Sequence, residues 1–125
     1  MLSDTGDRVR ILALAGEIDL HFLPIFRALL REKRDEPPEA LVLDLSEVAF
    51  IDSSGIAAII EHLRTTTQAG SRFVIGGMSE AVKDIFEVIN LRKSMPIFES
   101  REAALEALKQ KRLAEPGEPL FTPAD

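Results

Sequence analysis

The chain has 125 residues, 46% of them hydrophobic and 29% charged, a length and balance that fit one globular domain and are too short for two. Its 15 Lys+Arg against 21 Asp+Glu give a formal charge of -6, which opposes non-specific attraction to nucleic acid or anionic lipid. With no cysteine it has no disulfide framework, thiolate metal site or thiol nucleophile.

In chain order, the opening residues MLSDTGD hold two acids and no apolar core, unlike a secretory signal. Residues 9–15 (VRILALA) are rich in branched aliphatics, bounded by Gly6-Asp7 and Gly16, and read as a strand. Over 21–34 the apolar Phe22, Ile25, Phe26, Leu29 and Leu30 recur at helical spacing, with Pro24 in the first turn and Asp35-Glu36-Pro37-Pro38 as the stop. Residues 40–45 (ALVLDL) form a nearly continuous apolar run, as in a parallel strand covered on both faces. A connecting stretch through Phe50 then carries Phe50 and Ile51 to the core. Asp52-Ser53-Ser54-Gly55 opens a helix whose Ile56, Ile59, Ile60 and Leu63 share one face. Residues 72–75 (RFVI) read as a strand, Gly76-Gly77 as a turn, and Ser79 as the N-cap of a helix carrying Val82, Ile85, Phe86 and Ile89. A short strand over 95–98 and a helix capped by Ser100, with Leu105 and Leu108 inward, complete the pattern.

Strands alternating with helices predict an α/β fold built on a mostly parallel sheet. A single domain is expected over residues 1–112, with 113–125, which include Pro116-Gly117-Glu118-Pro119, as a loosely ordered tail. No apolar run approaches the roughly 18 residues of a membrane span. A cytoplasmic protein without membrane insertion is the expectation.

Enzyme chemistry finds little support. His21 and His62 are the only histidines, and His62 lies about 13 Å along a helix from Ser53, too far to serve it as a base. The spacing reads His62 as a solvent-facing helix residue. Metal-site patterns are missing; Asp19 and Asp52 are the one conceivable cation pair, with turn and capping roles commoner. Neither GxxxxGK[ST] nor GxGxxG occurs, and Gly76-Gly77 before a helix is weak evidence for an anion site. The basic residues alternate with acids, as in Arg31-Glu32-Lys33-Arg34-Asp35, and no aromatic platform for bases is present. Neither a catalytic residue nor a cofactor, metal or nucleic acid is expected.

The informative segment is Phe50-Ile51-Asp52-Ser53-Ser54-Gly55. Asp52 or Ser53 can cap the following helix. A small hydroxyl at a helix N-terminus is also open to a kinase, and a phosphate there would add about -1.5 to -2 charges while the helix dipole tolerates it. Such a site would alter binding and leave the fold intact.

This segment, together with Gly16-Glu17-Ile18-Asp19 after the first strand and Leu43-Asp44-Leu45-Ser46, resembles the STAS domain, and more specifically bacterial anti-sigma factor antagonists, from about residue 9 to 108. The resemblance implies a four- to five-stranded mixed sheet, mostly parallel, with about four helices mainly on one side. It implies partner switching: the unphosphorylated protein binds an anti-sigma factor that is also a serine kinase and frees the sigma factor, phosphorylation reverses this, and a serine phosphatase restores it. The phosphoacceptor falls on Ser53, with Asp52, Ser54 and Gly55 shaping the loop and Asp19 on the partner surface. The protein would then be substrate and ligand, not enzyme. Only eight residues precede Val9, so the family's first edge strand should be very short or absent, leaving strand amides for a weak homodimer. His21 stands in the family's apolar loop and bears on which kinase docks.

Two other function classes compete. Small STAS proteins also serve as accessory subunits of lipid-transporting ABC systems, and some are proposed to bind nucleotides, here near Gly76-Gly77 or the 52–55 helix terminus. An intact Ser53 favours the switch mildly over the first, and the acidic balance counts against the second.

Overall fold

Strands with consecutive branched aliphatic residues, covered on both faces, build the centre of the molecule. The computed structural model describes residues 2–4, 9–31, 40–90 and 95–111. Its elements are β1 (Leu2–Asp4), β2 (Val9–Ile18), α1 (Leu23–Leu30), β3 (Ala40–Ile51), α2 (Ser53–Gln68), β4 (Arg72–Met78), α3 (Glu80–Val88), β5 (Ile97–Phe98) and α4 (Arg101–Lys111). The sheet order is β1-β2-β3-β4-β5. β1 is antiparallel to β2, and the four strands from β2 to β5 are parallel.

The order dictates where the helices go. Right-handed crossovers that always step in the same direction place every connecting helix on the same face, so α1, α2 and α3 share one. Leu12, Leu43, Leu45 and Ile75 meet Phe26, Ile59, Val82 and Phe86 there in the larger core. Helix α4 follows the last strand and covers the opposite face, where Ala104 and Leu108 close over Val9, Ile11, Val42 and Val74. The expected arrangement therefore holds, with three helices on one side and one on the other. β1 is a three-residue edge pairing Leu2, Ser3 and Asp4 with Leu12, Ile11 and Arg10.

Several sequence expectations shift. Helix α1 ends at Leu30, and Ile25 is 56% exposed, because the described helix presents only Phe26 and Leu30 fully to the core. The stretch after residue 45 is strand up to Ile51, pairing with β2 across irregular register. Gly76-Gly77 is not a turn. Both lie in β4, where Leu43 pairs with Ile75 but Leu45 with Met78, so β4 carries an extra residue. The glycines are required by crowding: a Cβ on Gly76 would stand 2.7 Å from Val42 Cγ1 and 3.0 Å from the Ala104 Cβ, and Gly77 has φ +99°. Ser79 caps α3 as expected, accepting from the Val82 amide at 3.2 Å, and Ser100 caps α4 by accepting from the Ala103 amide at 3.0 Å. Residues 32–39 and 112–125, with the proline stop and the tail, lie outside the described residues. Among the described residues no helix is long and apolar enough to cross a membrane.

An ion pair between the buried Asp44 and the half-buried Arg101 ties α4 to the sheet. Asp44 Oδ2 accepts from Arg101 Nε at 3.0 Å and from its Nη2 at 2.9 Å, while Oδ1 accepts from the Ser46 hydroxyl at 2.6 Å and amide at 2.9 Å. Burial alone would raise the Asp44 pKa, but the Ser46 and Arg101 donors outweigh it and hold the carboxyl below its ordinary value.

His62 does not face solvent. It is half-buried, its ring edge-on to Phe73 with centroids 4.8 Å apart. Burial, aided by the nearby Arg31 charge, lowers its pKa from the usual 6.5. The unfolded chain therefore binds a proton at His62 more readily than the folded one, so this residue's contribution to stability is complete above about pH 6.5 and is lost as pH falls. His62→Gln should flatten the dependence of the urea midpoint on pH between 7.5 and 5.5; an unchanged slope would remove His62 as its source. Gly55→Ala should cost about 1–3 kcal/mol in urea unfolding, since the new Cβ would stand 2.8 Å from Ile18 Cγ2 and from Ile51 Cγ1.

Candidate functional site

The two sequence motifs, some thirty residues apart, meet where β2 and β3 end side by side. Glu17 pairs with Phe50 and Ile18 with Ile51, and the Asp52 amide then donates to the Ile18 carbonyl at 3.1 Å. At that point the chain leaves β3 and starts α2.

Asp52 makes the transition. Its backbone is extended, at φ -97° and ψ -179°, and its side chain is the N-cap of α2. Oδ1 accepts from the Gly55 amide at 3.0 Å and from the Ser54 hydroxyl at 2.6 Å, satisfying a donor that every helix start leaves open. Oδ2 accepts from the Leu20 amide at 3.1 Å. One carboxylate therefore joins the helix terminus to the turn after β2. The Ser54 hydroxyl first, and then the Gly55 amide, stabilise the charged form and lower the Asp52 pKa below its ordinary value.

Ser53 is the first residue of α2, is exposed, and its hydroxyl makes no hydrogen bond among the described residues. Ser54, next to it, is half-buried and has its hydroxyl committed to Asp52. Gly55 is buried at the point where α2 approaches Ile18 and Ile51 too closely for any side chain.

Across the clamp, Asp19 begins a tight turn. The Phe22 amide donates to the Asp19 carbonyl at 3.0 Å and to Asp19 Oδ1 at 3.1 Å. His21 is exposed on this turn, and no hydrogen bond joins it to Ser53 among the described residues. Asp19 and Asp52 thus spend oxygens on backbone amides, and among the described residues no three His, Asp or Glu side chains gather at one point.

Two further residues belong to this surface and were not read as surface residues from the sequence. Leu20, whose amide meets Asp52, leaves its side chain 67% exposed, and Phe50 is 44% exposed. Phe50 was expected in the core beside Ile51. Only Ile51 goes there, at 1% exposure, because the backbone of β3 has no simple alternation over its last residues and points Phe50 outward. A leucine between two polar residues in a turn carries no periodic signal; its exposure follows from how the turn is held.

The chemistry available is that of an acceptor. Ser53 has an accessible hydroxyl with no adjacent base, so a group must be delivered to it from outside. Neither 16–22 nor 46–60 contains Lys or Arg. A phosphate placed on Ser53 would find acidic neighbours in both stretches and would stay displayed at the surface.

Comparison with known proteins gives a consistent family. The STAS domain profile matches residues 3–104. The anti-sigma F factor antagonist of Paenibacillus polymyxa is 29% identical over 102 residues, covering 81% of this chain and 87% of the relative. The crystal structure of an anti-sigma factor antagonist from Mycobacterium paratuberculosis superposes with a TM-score of 0.74 at 24% identity, covering 87% of this chain and 92% of that one. A sulfate transporter family protein from Wolinella succinogenes superposes with a TM-score of 0.75 at 17% identity, covering 90% and 93%. The STAS fold thus appears under different functional names, and the chain belongs to the STAS domain family, with distant relatives among anti-sigma factor antagonists.

Proposed function

We propose that the protein is an anti-sigma factor antagonist that works by partner switching at Ser53. In its unmodified form it binds an anti-sigma factor that is a serine kinase and so releases a sigma factor. The kinase then transfers a phosphoryl group: the Ser53 Oγ attacks the γ-phosphorus of ATP, the bond to the β,γ-bridging oxygen breaks, ADP leaves, and the hydroxyl proton passes to a base on the kinase. A serine phosphatase hydrolyses the ester and resets the protein. On this reading the chain is substrate and ligand and does no chemistry of its own.

The observation that carries the reading is the contrast between the two adjacent serines. Ser53 is exposed and unbonded, whereas the Ser54 hydroxyl is held by Asp52. Around Ser53, Leu20 and Phe50 offer exposed apolar contact, Asp19 shapes the turn and His21 lies on its rim. A dianion added beside Asp52 opposes any acidic or apolar face that accepts the plain serine. The uninterrupted strand order also weighs against a nucleotide site, because it gives no reversal of crossover direction where a crevice opens at the strand ends.

Incubation with ATP and an anti-sigma factor kinase that binds the protein should add one phosphate, located on Ser53 by fragmentation mass spectrometry. Ser54→Ala should still accept it, and Ser53→Ala should not. Ser53→Asp should weaken the complex about tenfold or more, while Ser53→Ala retains parental affinity. Equal binding by Ser53→Asp, or capture of a transporter ATPase with no effect of that substitution, would overturn the switch. Asp52→Asn should weaken the same complex without abolishing folding, because the turn bearing Leu20 loses its charged acceptor.

A further inference from the structure

A second surface lies between α1 and α2, about midway along the helix that Ser53 begins. Glu61 is eight residues beyond Ser53, about 12 Å along the axis. Here the two helices leave an open cleft of about 70 Å³, room for roughly five non-hydrogen atoms.

Its chemistry departs from that of the chain as a whole. Arg27 and Arg31 line it from α1 and the residue that ends it, with Glu61 and His62 from α2, over an apolar floor of Leu30 and Ala58. Arg27 Nη1 donates to Glu61 Oε1 at 2.7 Å. Arg31 Nε donates to the Arg27 carbonyl at 3.3 Å. That bond fixes the Arg31 stem over the end of α1, and its Nη groups have no carboxylate partner among the described residues. Two arginines against one glutamate leave a positive excess inside a protein of formal charge -6. Glu61, with its side chain 65% exposed, already illustrates the ligand that the cleft selects: a carboxylate reaching an arginine fork at the surface.

We propose that the α1–α2 cleft is a second protein-docking site, which receives an aspartate or glutamate side chain from an acidic partner segment, its carboxylate on Arg31 and its methylenes on Leu30 and Ala58. The size favours a tethered side chain over a free metabolite. A free acid of about five heavy atoms gains too little contact to remain bound at sub-millimolar levels, whereas a side chain on a peptide adds contacts along the rim. The cleft lies outside the Ser53 surface, so a partner held here stays bound whether or not Ser53 is modified.

The test uses the full chain labelled with 15N, titrated separately with acetyl-Gly-Leu-Glu-Leu-Gly-amide, its Gln counterpart and sodium propionate. The glutamate peptide should shift the amide signals of Ala58, His62 and Thr65 saturably, and the glutamine peptide should bind at least fivefold more weakly. Arg31→Gln should abolish the shifts and Arg31→Lys should keep part of them. Both substitutions lie at an exposed position, and unchanged circular dichroism confirms that the fold is retained. Equal binding of the two peptides, no effect of Arg31→Gln, or no saturable shift overturns the site. Propionate binding as tightly as the glutamate peptide overturns the partner side chain and assigns the cleft to a small free acid.

Discussion

The arrangement of the surface around Ser53 depends on the Asp52 carboxylate and on the division of labour between its two oxygens. One oxygen caps α2 and takes the Ser54 hydroxyl; the other takes the Leu20 amide from the turn after β2. Without a single group serving both, the helix terminus and the turn would be joined only through the ends of β2 and β3. With it, Ser53 and the exposed Leu20 side chain form one surface. These donors, the Ser54 hydroxyl first, favour the charged form of the carboxylate, so the clamp persists across the neutral pH range.

The same clamp sets the two adjacent serines apart, leaving only the Ser53 hydroxyl uncommitted for the modification proposed above. A hydroxyl that donates to a carboxylate must give up a charge-assisted bond before it can react, and Ser54 is in that position. Ser53, one residue earlier, has its side chain in solvent. Modification at the first position of a helix adds charge where the dipole accepts it. Ser53 belongs to neither core cluster, so a charge added there would change what the surface meets and leave core packing unaltered.

Helix α4 is tied to the opposite face of the sheet. Gly76 admits α4 to near contact with β4, and the Arg101–Asp44 pair fixes the start of that helix. Removing Arg101 would leave the buried Asp44 carboxylate without its counter-charge, so α4 is bound to the sheet by polarity as well as by Ala104 and Leu108.

Local sequence determined a good deal. Runs such as residues 40–45 have nowhere to go except a strand covered on both faces, and the i, i+3, i+4 spacing after Gly55 permits only a helix. The Asp-Ser-Ser-Gly order put a cap, a small hydroxyl and a glycine at a helix start, because each depends on residue type and immediate neighbours. Tertiary structure alone decided the rest. That Gly76-Gly77 forms a bulge under α4, that Phe50 turns outward while Ile51 turns in, and that His62 rests on Phe73 all depend on what lies across the sheet or between helices. The union of Leu20 with Asp52 is of the same kind: thirty-two residues separate them in sequence, and only parallel pairing of β2 with β3 brings that amide within reach of that carboxylate.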